Sequence, residues 1–381
     1  MIGNKKKILI LTASFGAGHN SASRAIKKYI EESSNDYNVK IQDFVDASVP
    51  RLNRPMVKCY EYQTKYFPMV YNAYYYTKKI IDSRYDTSYR IYLDNLERYL
   101  VEENPDLVIS VFPHASASVS YIKEHSLFDK PLITVITDVV VSNEWIHKNT
   151  DMYFVPSNLI KFKLIKKGIS EDMIKVTGVP VDKDFLMEET REVPRKKRVL
   201  FMGGGRGLFD MSDSFFYWLD EFIHKHNDEI EATVVTGTNK KLYSKFTNEK
   251  PLRNIEVLGF VSNMPEILKE HDVLITKPGG ATLFESINIG VPVVVKKPNI
   301  GQEIANAKFI NREKIGLIYS KERELRKIMR ELVSGKKEND LSYMLQNINS
   351  FKKEINPSEI FKYVQEAILL DDGRKYLYDI R

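Results

Sequence analysis

A histidine stands among small residues in LTASFGAGHNSASRAI, residues 11–26. An apolar run ends there, Gly16 and Gly18 allow a tight turn, His19 follows, and the next residues read as a helix. Histidine removes protons near neutral pH, so His19 is a candidate general base; a helix-capping or loop histidine has the same spacing. Two glycine-rich turns carry another chemistry. VLFMGGGRGLFD places Gly203, Gly204 and Gly205 directly after an apolar run. Lacking Cβ atoms, these residues let backbone amides approach a diphosphate, although a tight turn without any ligand needs the same glycines. VLITKPGGATLFESINIGVPVVV turns at Lys277-Pro278-Gly279-Gly280 and then reads as a helix over Ala281–Ile289, stopped by Gly290 and Pro292. The start of that helix presents free amides at Gly279 and Gly280 to an anion. Glu285, one turn in, either accepts hydrogen bonds from a ribose diol or lies on a solvated face. In KKPNIGQEIANAKFI, Gln302, Glu303 and Asn306 follow a Pro/Gly turn. An amide beside a carboxylate suits sugar hydroxyls; helix N-capping is the alternative.

These residues need elements to hold them. Strand-like apolar runs at Lys7–Thr12, Leu107–Phe112, Leu132–Thr137 and Met152–Val155 alternate with helical stretches. The alternation restarts with Arg198–Met202, Ala232–Thr236, Val273–Thr276 and Val291–Val295. Such alternation gives parallel βαβ units and doubly wound sheets. The expected class is therefore α/β, with two Rossmann-like domains facing a cleft. Their expected extents are 1–187 for the first domain, 188–197 for a charged linker, 198–350 for the second domain and 351–381 for a helical tail. Ligands of such sheets sit at the carboxyl ends of the strands, where the glycine turns fall.

Composition excludes several classes. With 43% hydrophobic and 28% charged residues over 381 positions, the chain reads as a soluble globular protein of two domains. A single cysteine, Cys59, rules out an internal disulfide and a multi-cysteine zinc site, and fits a reducing cytosol. The longest apolar runs fall short of the ~18 residues a membrane span needs, and MIGNKKKILILT is too short in its apolar part for a signal peptide. A net charge of +6 permits attraction to phosphate or anionic lipid without requiring it. One stretch is strongly biased: eight aromatics crowd Tyr60–Tyr76, including Tyr60, Tyr66 and Tyr74, with Lys65, Lys78 and Lys79 around them. Basic residues with tyrosines suit an anionic lipid interface, and a packed helical pair is the structural alternative.

TKPGGATLFESINIGVPVVVKKPNIGQEIANAKF, TASFGAGHNSASRAI, VITDVVVSNEWIHKNTDMYFVPSNLIKFKLIKKGI and VTGVPVD together resemble the GT-B glycosyltransferases of family 28. That group contains MurG, the monogalactosyldiacylglycerol synthases and the processive diacylglycerol glucosyltransferases. The resemblance spans the chain to about residue 350, and the middle segment is similar to the diacylglycerol branch in particular.

The resemblance implies an inverting transfer of glucose or galactose from a UDP-sugar to diacylglycerol or a glycosyl-diacylglycerol. It implies that Gly203, Gly204 and Gly205, with Gly279, Gly280 and Ala281, lie at the diphosphate, and that Gly259, Phe260 and Val261 read the uracil edge. Glu285 would hold the ribose hydroxyls, and Gln302 and Glu303 the donor-sugar hydroxyls. Lys277 or Arg206 would help neutralise the diphosphate. His19 would be the base, with Gly16 and Gly18 shaping the acceptor loop and Asp138 the alternative carboxylate. No metal or other cofactor is implied; Asp182-Lys183-Asp184 matches a DxD pattern but sits beside the linker. The Tyr60–Tyr76 region would face the lipid acceptor, which places the chain in the cytoplasm, peripherally on the inner face of the membrane and away from nucleic acid. Two positions depart from the pattern: Ser14 stands where plant-type members carry an aspartate, and Ser142 where the glucosyl branch often has a histidine. A polyprenyl-linked acceptor, a UDP-sugar epimerase and a non-catalytic UDP-sugar sensor are the competing readings.

Overall fold

The computed structural model describes residues 5–15, 17–50, 53, 55–56, 59, 62, 90–139, 142–187, 191–299 and 301–378. The chain divides into two compact units, one of residues 1–183 with 300–302 and 354–381, the other of 184–299 with 303–353.

The first unit contains β1 (Lys6–Thr12), α1 (Ala17–Ser33), β2 (Tyr37–Asp43), α2 (Phe44–Ser48), α3 (Leu93–Glu103), β3 (Leu107–Ser110), α4 (Pro113–His125), β4 (Leu132–Val135), β5 (Met152–Val155), α5 (Asn158–Lys166) and β6 (Ile174–Val176). Its strands form one parallel sheet in the order β2-β1-β3-β4-β5-β6. The inner strands β3, β4 and β5 are buried at every residue, as helices on both faces of a parallel sheet require. One face packs Leu9, Leu11 and Val108 against Leu96, Leu100 and Val119 of the flanking helices. Trp145 is 1% exposed and belongs to a second cluster with Tyr153, Ile160 and Leu164. The order reverses between β1 and β3, so the crevice of this sheet opens at the carboxyl ends of those two strands.

The second unit repeats the design with β7 (Lys197–Met202), α6 (Asp213–Lys225), β8 (Ile230–Val235), α7 (Lys240–Ser244), β9 (Glu256–Leu258), α8 (Met264–Lys269), β10 (Val273–Thr276), α9 (Gly280–Ile289), β11 (Val293–Lys296), α10 (Gly301–Glu313), β12 (Gly316–Tyr319), α11 (Glu322–Val333) and α12 (Glu338–Lys352). The order β12-β11-β10-β7-β8-β9 reverses between β10 and β7. Lys197, the last residue of the stretch expected as a linker, lies inside this unit: it is buried as the first residue of β7 and donates to the Arg195 carbonyl at 3.0 Å. Gly290 ends α9 at φ 90°, where a residue with a Cβ would be strained, and Pro292 follows. The last helix, α13 (Ile360–Tyr378), belongs to the first unit: Asn356 N–H reaches the Val176 carbonyl at 2.9 Å, and Tyr363 packs on Phe154. Among the described residues no helix is long and apolar enough to cross a membrane.

Candidate active site

In the first unit, chemistry gathers where β1, β3 and β4 end. His19 is the third residue of α1, and its Nδ1 lies 3.2 Å from Thr137 Oγ1 beyond the end of β4. Its ring meets Phe112, beyond the end of β3, edge-on with centroids 5.6 Å apart. His19 is therefore not a loop residue: its ring is half-buried and wedged between two strand ends. Burial drives its pKa down to about 4, a hydrogen bond donated by the ring to the Val111 backbone opposing the shift. His19 is therefore neutral at pH 7, the protonation state a base requires. The turn before it is tied down on both sides. Thr12 Oγ1 donates to Asn20 Oδ1 at 2.8 Å, and Ser14 Oγ donates to Asp43 Oδ2 at 2.7 Å. Asp43 also caps α2 by accepting from the amides of Val45 and Asp46. Asp138 follows Thr137 in the bend after β4 and is half-buried. Gly18 opens the first turn of α1. Gly16, Tyr60, Lys65, Tyr66, Tyr74, Lys78 and Lys79 lie outside the described residues.

The second unit brings most of its expected donor residues onto one carboxyl edge. After β7, Gly203 packs so closely that a Cβ there would lie 2.5 Å from the Leu208 nitrogen. Its glycine is explained by the turn itself. Gly204 has φ 68°, and a Cβ on it would meet Lys277 Cε at 3.2 Å, so the Lys277 side chain lies along this turn. Of the two cations that spacing alone left open, Lys277 reaches the glycine loop from β10 and Arg206 is part of that loop. Open space faces both Gly205 and Gly279. The first hydrogen bond of α9 runs from Leu283 N–H to the Gly279 carbonyl at 2.9 Å, which leaves the amides of Gly280, Ala281 and Thr282 ahead of it. Glu285 is half-buried on the same helix.

The row continues across the sheet. Thr238 N–H donates to the Gly205 carbonyl at 3.0 Å, and Thr236 N–H to the Leu258 carbonyl at 2.8 Å, joining the ends of β7, β8 and β9. Gly259, Phe260 and Val261 leave β9 at that point, with the Phe260 ring 71% exposed. On the other side, Asn306 Nδ2 donates to the Pro278 carbonyl at 2.9 Å and fixes α10 to the Lys277–Gly280 turn. Asn306 is thus a brace with a buried side chain, which differs from its reading as a sugar ligand. Burial raises the Glu303 pKa, Lys277 opposing the rise and Asp210 adding to it, so the three groups share one electrostatic environment. The backbone of Gln302 lies in the first turn of α10. Two buried atoms beside the turn, Thr276 Oγ1 and Asn306 Oδ1, have no protein partner among the described residues. Buried polar atoms of this kind are ordinarily satisfied by water or ligand. An edge with amides ahead of a helix, a lysine and two carboxylates can hold a phosphorylated, hydroxyl-rich molecule. Asp182, half of the DxD match, instead pairs with Lys28 at 2.6 Å.

Two family models cover the chain in tandem. Monogalactosyldiacylglycerol (MGDG) synthase matches residues 19–181, and the glycosyltransferase family 28 C-terminal domain matches residues 199–357. A processive diacylglycerol beta-glucosyltransferase of Staphylococcus saprophyticus is 30% identical over 330 residues, which cover 84% of this chain and 82% of that protein. The chain belongs to glycosyltransferase family 28. Its fold is GT-B: MurG of Acinetobacter baumannii superposes with a TM-score of 0.58 at 13% identity, covering 95% of this chain and 99% of that one. A putative UDP-N-acetylglucosamine 2-epimerase of Listeria monocytogenes shares the fold at TM-score 0.57 and 14% identity, over 97% of both chains. Fold alone therefore does not separate transferases from epimerases, whereas sequence does. In this family 28 glycosyltransferase, His19 opens the first matched region, and every donor-side residue from Gly203 to Glu303 lies in the second.

Thr137, Phe112, Asp43 and Asp210 were not singled out by sequence. Thr137 had a readable signal, since it directly precedes Asp138 at a strand end. The others act through contacts between distant segments, which one sequence does not display.

Proposed function

We propose that this glycosyltransferase transfers a hexose from a UDP-sugar, with inversion, to diacylglycerol or a glycosyl-diacylglycerol at the inner membrane surface, without a metal or other cofactor. The observation that carries the reading is the carboxyl edge of the second unit, where Lys277 lies along the Gly204 turn and open space faces Gly205 and Gly279. Glucose is favoured because the relatives that cover both units are named for it.

In this reading the α9 amides and Lys277 hold the diphosphate and stabilise it as it departs. Glu285 accepts from the ribose diol, the backbone of Gly259, Phe260 and Val261 reads the uracil edge, and Gln302 and Glu303 bind the hexose hydroxyls. The acceptor hydroxyl oxygen attacks C1 of the hexose, the bond from C1 to the diphosphate oxygen breaks, and UDP leaves. The hydroxyl proton passes to the neutral ring of His19. The Phe112 and Thr137 contacts fix that ring's orientation, and Asp138 is the neighbouring carboxylate. The tyrosine- and lysine-rich segment around Tyr60–Tyr76 is assigned to the lipid side by its composition.

The test is incubation with diacylglycerol in detergent micelles and labelled UDP-glucose or UDP-galactose. Label in the organic phase, greater with UDP-glucose, is expected. Label confined to soluble sugar nucleotide products would contradict lipid transfer, and greater transfer from UDP-galactose would reverse the choice of hexose.

A further inference from the structure

The helix α5 has a composition that its packing does not explain. Its sequence NLIKFKLIK, extended by Lys167, contains four lysines and no acidic residue. Ile160 and Leu164 face inward and are fully buried against Tyr153, Val155 and Ile174. Those two residues satisfy the packing of the helix on the sheet. The outer face nonetheless carries Phe162, 53% exposed, and Ile165, 37% exposed. The Lys166 ammonium stands over the Phe162 ring at 4.5 Å, so apolar and cationic groups form one patch. Part of the charge is balanced locally: Lys161 pairs with Glu171 at 2.8 Å, and Asp172 follows it. Lys167 donates to a neutral partner, Asn143 Oδ1, and keeps its charge uncompensated by that contact.

We infer that the outer face of α5 lies on an anionic phospholipid surface, with Phe162 and Ile165 entering the headgroup boundary and Lys163, Lys166 and Lys167 meeting lipid phosphates. This inference rests on the lipid-acceptor reading above and adds a second contact, separate in sequence from Tyr60–Tyr76. Charge complementarity selects the occupant. A protein partner would be met equally by an apolar patch with mixed charges, whereas several lysines of one helix around its exposed Phe162, with the nearby Glu171 paired to Lys161, match the interfacial pattern. Lysine stems also suit this position, because their methylenes cover apolar surface while the ammonium reaches the phosphates.

The test is sedimentation with phosphatidylglycerol/phosphatidylcholine vesicles and with phosphatidylcholine vesicles, without sugar donor or diacylglycerol. Reversing two lysines, Lys163→Glu with Lys166→Glu, should lower the association constant for anionic vesicles roughly tenfold at low salt, and less at high salt. Phe162→Ser with Ile165→Ser should weaken binding to the same vesicles. Both variants should keep the wild-type melting temperature and, within about twofold, transfer to diacylglycerol in neutral detergent, where no anionic surface exists. Phe162→Trp gives a check that needs no disruptive change: its emission should be quenched by brominated phosphatidylglycerol beyond the quenching of the wild type. Wild-type sedimentation by both double variants, or no added quenching in Phe162→Trp, would overturn the inference. Failure of wild-type transfer in detergent would contradict the proposed function instead, and the vesicle measurements would still be read without it.

Discussion

His19 combines three properties that a base needs: a neutral ring, a fixed orientation and a place at the carboxyl end of a parallel sheet. Replacing it with alanine should lower transfer by roughly 10²–10⁴, the usual contribution of a positioned base, while leaving UDP affinity within about twofold. Loss of UDP binding in calorimetry would show instead that the turn touches the donor. Its stability effect is also distinctive. The native ring titrates near 4 and the unfolded ring near 6.5, so between those values the unfolded chain binds more protons. This contribution to stability is complete above pH 6.5 and is lost as pH falls toward 4. Denaturant titrations from pH 7 to 4 should give a shallower decline for His19→Gln than for the wild type. Equal slopes would mean that the histidine titrates normally in the folded state. The same burial means that the activity of the free enzyme should show no acid-side loss near 6.5 due to this residue. Glu285→Ala belongs at this scale too: a lost charged hydrogen bond costs about 1.5–3 kcal/mol of UDP binding. Unchanged affinity would remove Glu285 from the site.

At the scale of elements, the row of turns at the ends of β10, β7, β8 and β9 holds both a glycine that the fold requires and a glycine that it does not. Gly203 has no room for a Cβ, while Gly279 has an ordinary backbone conformation, φ −78° and ψ 138°, and nothing within 4 Å of one. Gly279→Ala should therefore leave the melting temperature unchanged or slightly raised, yet weaken UDP binding by about tenfold or more if an amide contact is displaced. Unaltered UDP affinity would show that the space is empty of ligand. The elements also explain what was legible in the sequence. All eight strands expected from apolar runs are present, and they are the inner strands of the two sheets. The four that were not read, β2, β6, β9 and β12, are the four edge strands. β2, YNVKIQD, has one fully buried residue, and β9 has none, so neither shows a continuous apolar run. An edge strand is covered less completely than an inner one, and its polar residues hide it from a search for buried segments. The α9 helix and its glycine stop were readable because both signals are local. The Thr137–His19 contact was not, because it joins residues 118 positions apart.

At the scale of the whole molecule, the proposed reaction is divided between two α/β units: the first carries the neutral histidine, the second the glycine-rich edge assigned to the diphosphate. Relatives that span both units carry the lipid transferase name, while the fold itself is shared with an epimerase. The reaction class must therefore be read from the product. Direct attack by a lipid hydroxyl on C1 of an α-linked UDP-hexose, assisted by His19, leaves a β-glycoside and free UDP. The most direct measurement is proton NMR of the purified lipid product made from UDP-glucose and diacylglycerol. The expected result is a β-glucosyl-diacylglycerol, recognised by the large coupling between axial H1 and H2. An α-linked product would contradict a single inverting displacement, and epimerised UDP-sugar with unmodified diacylglycerol would contradict transfer altogether.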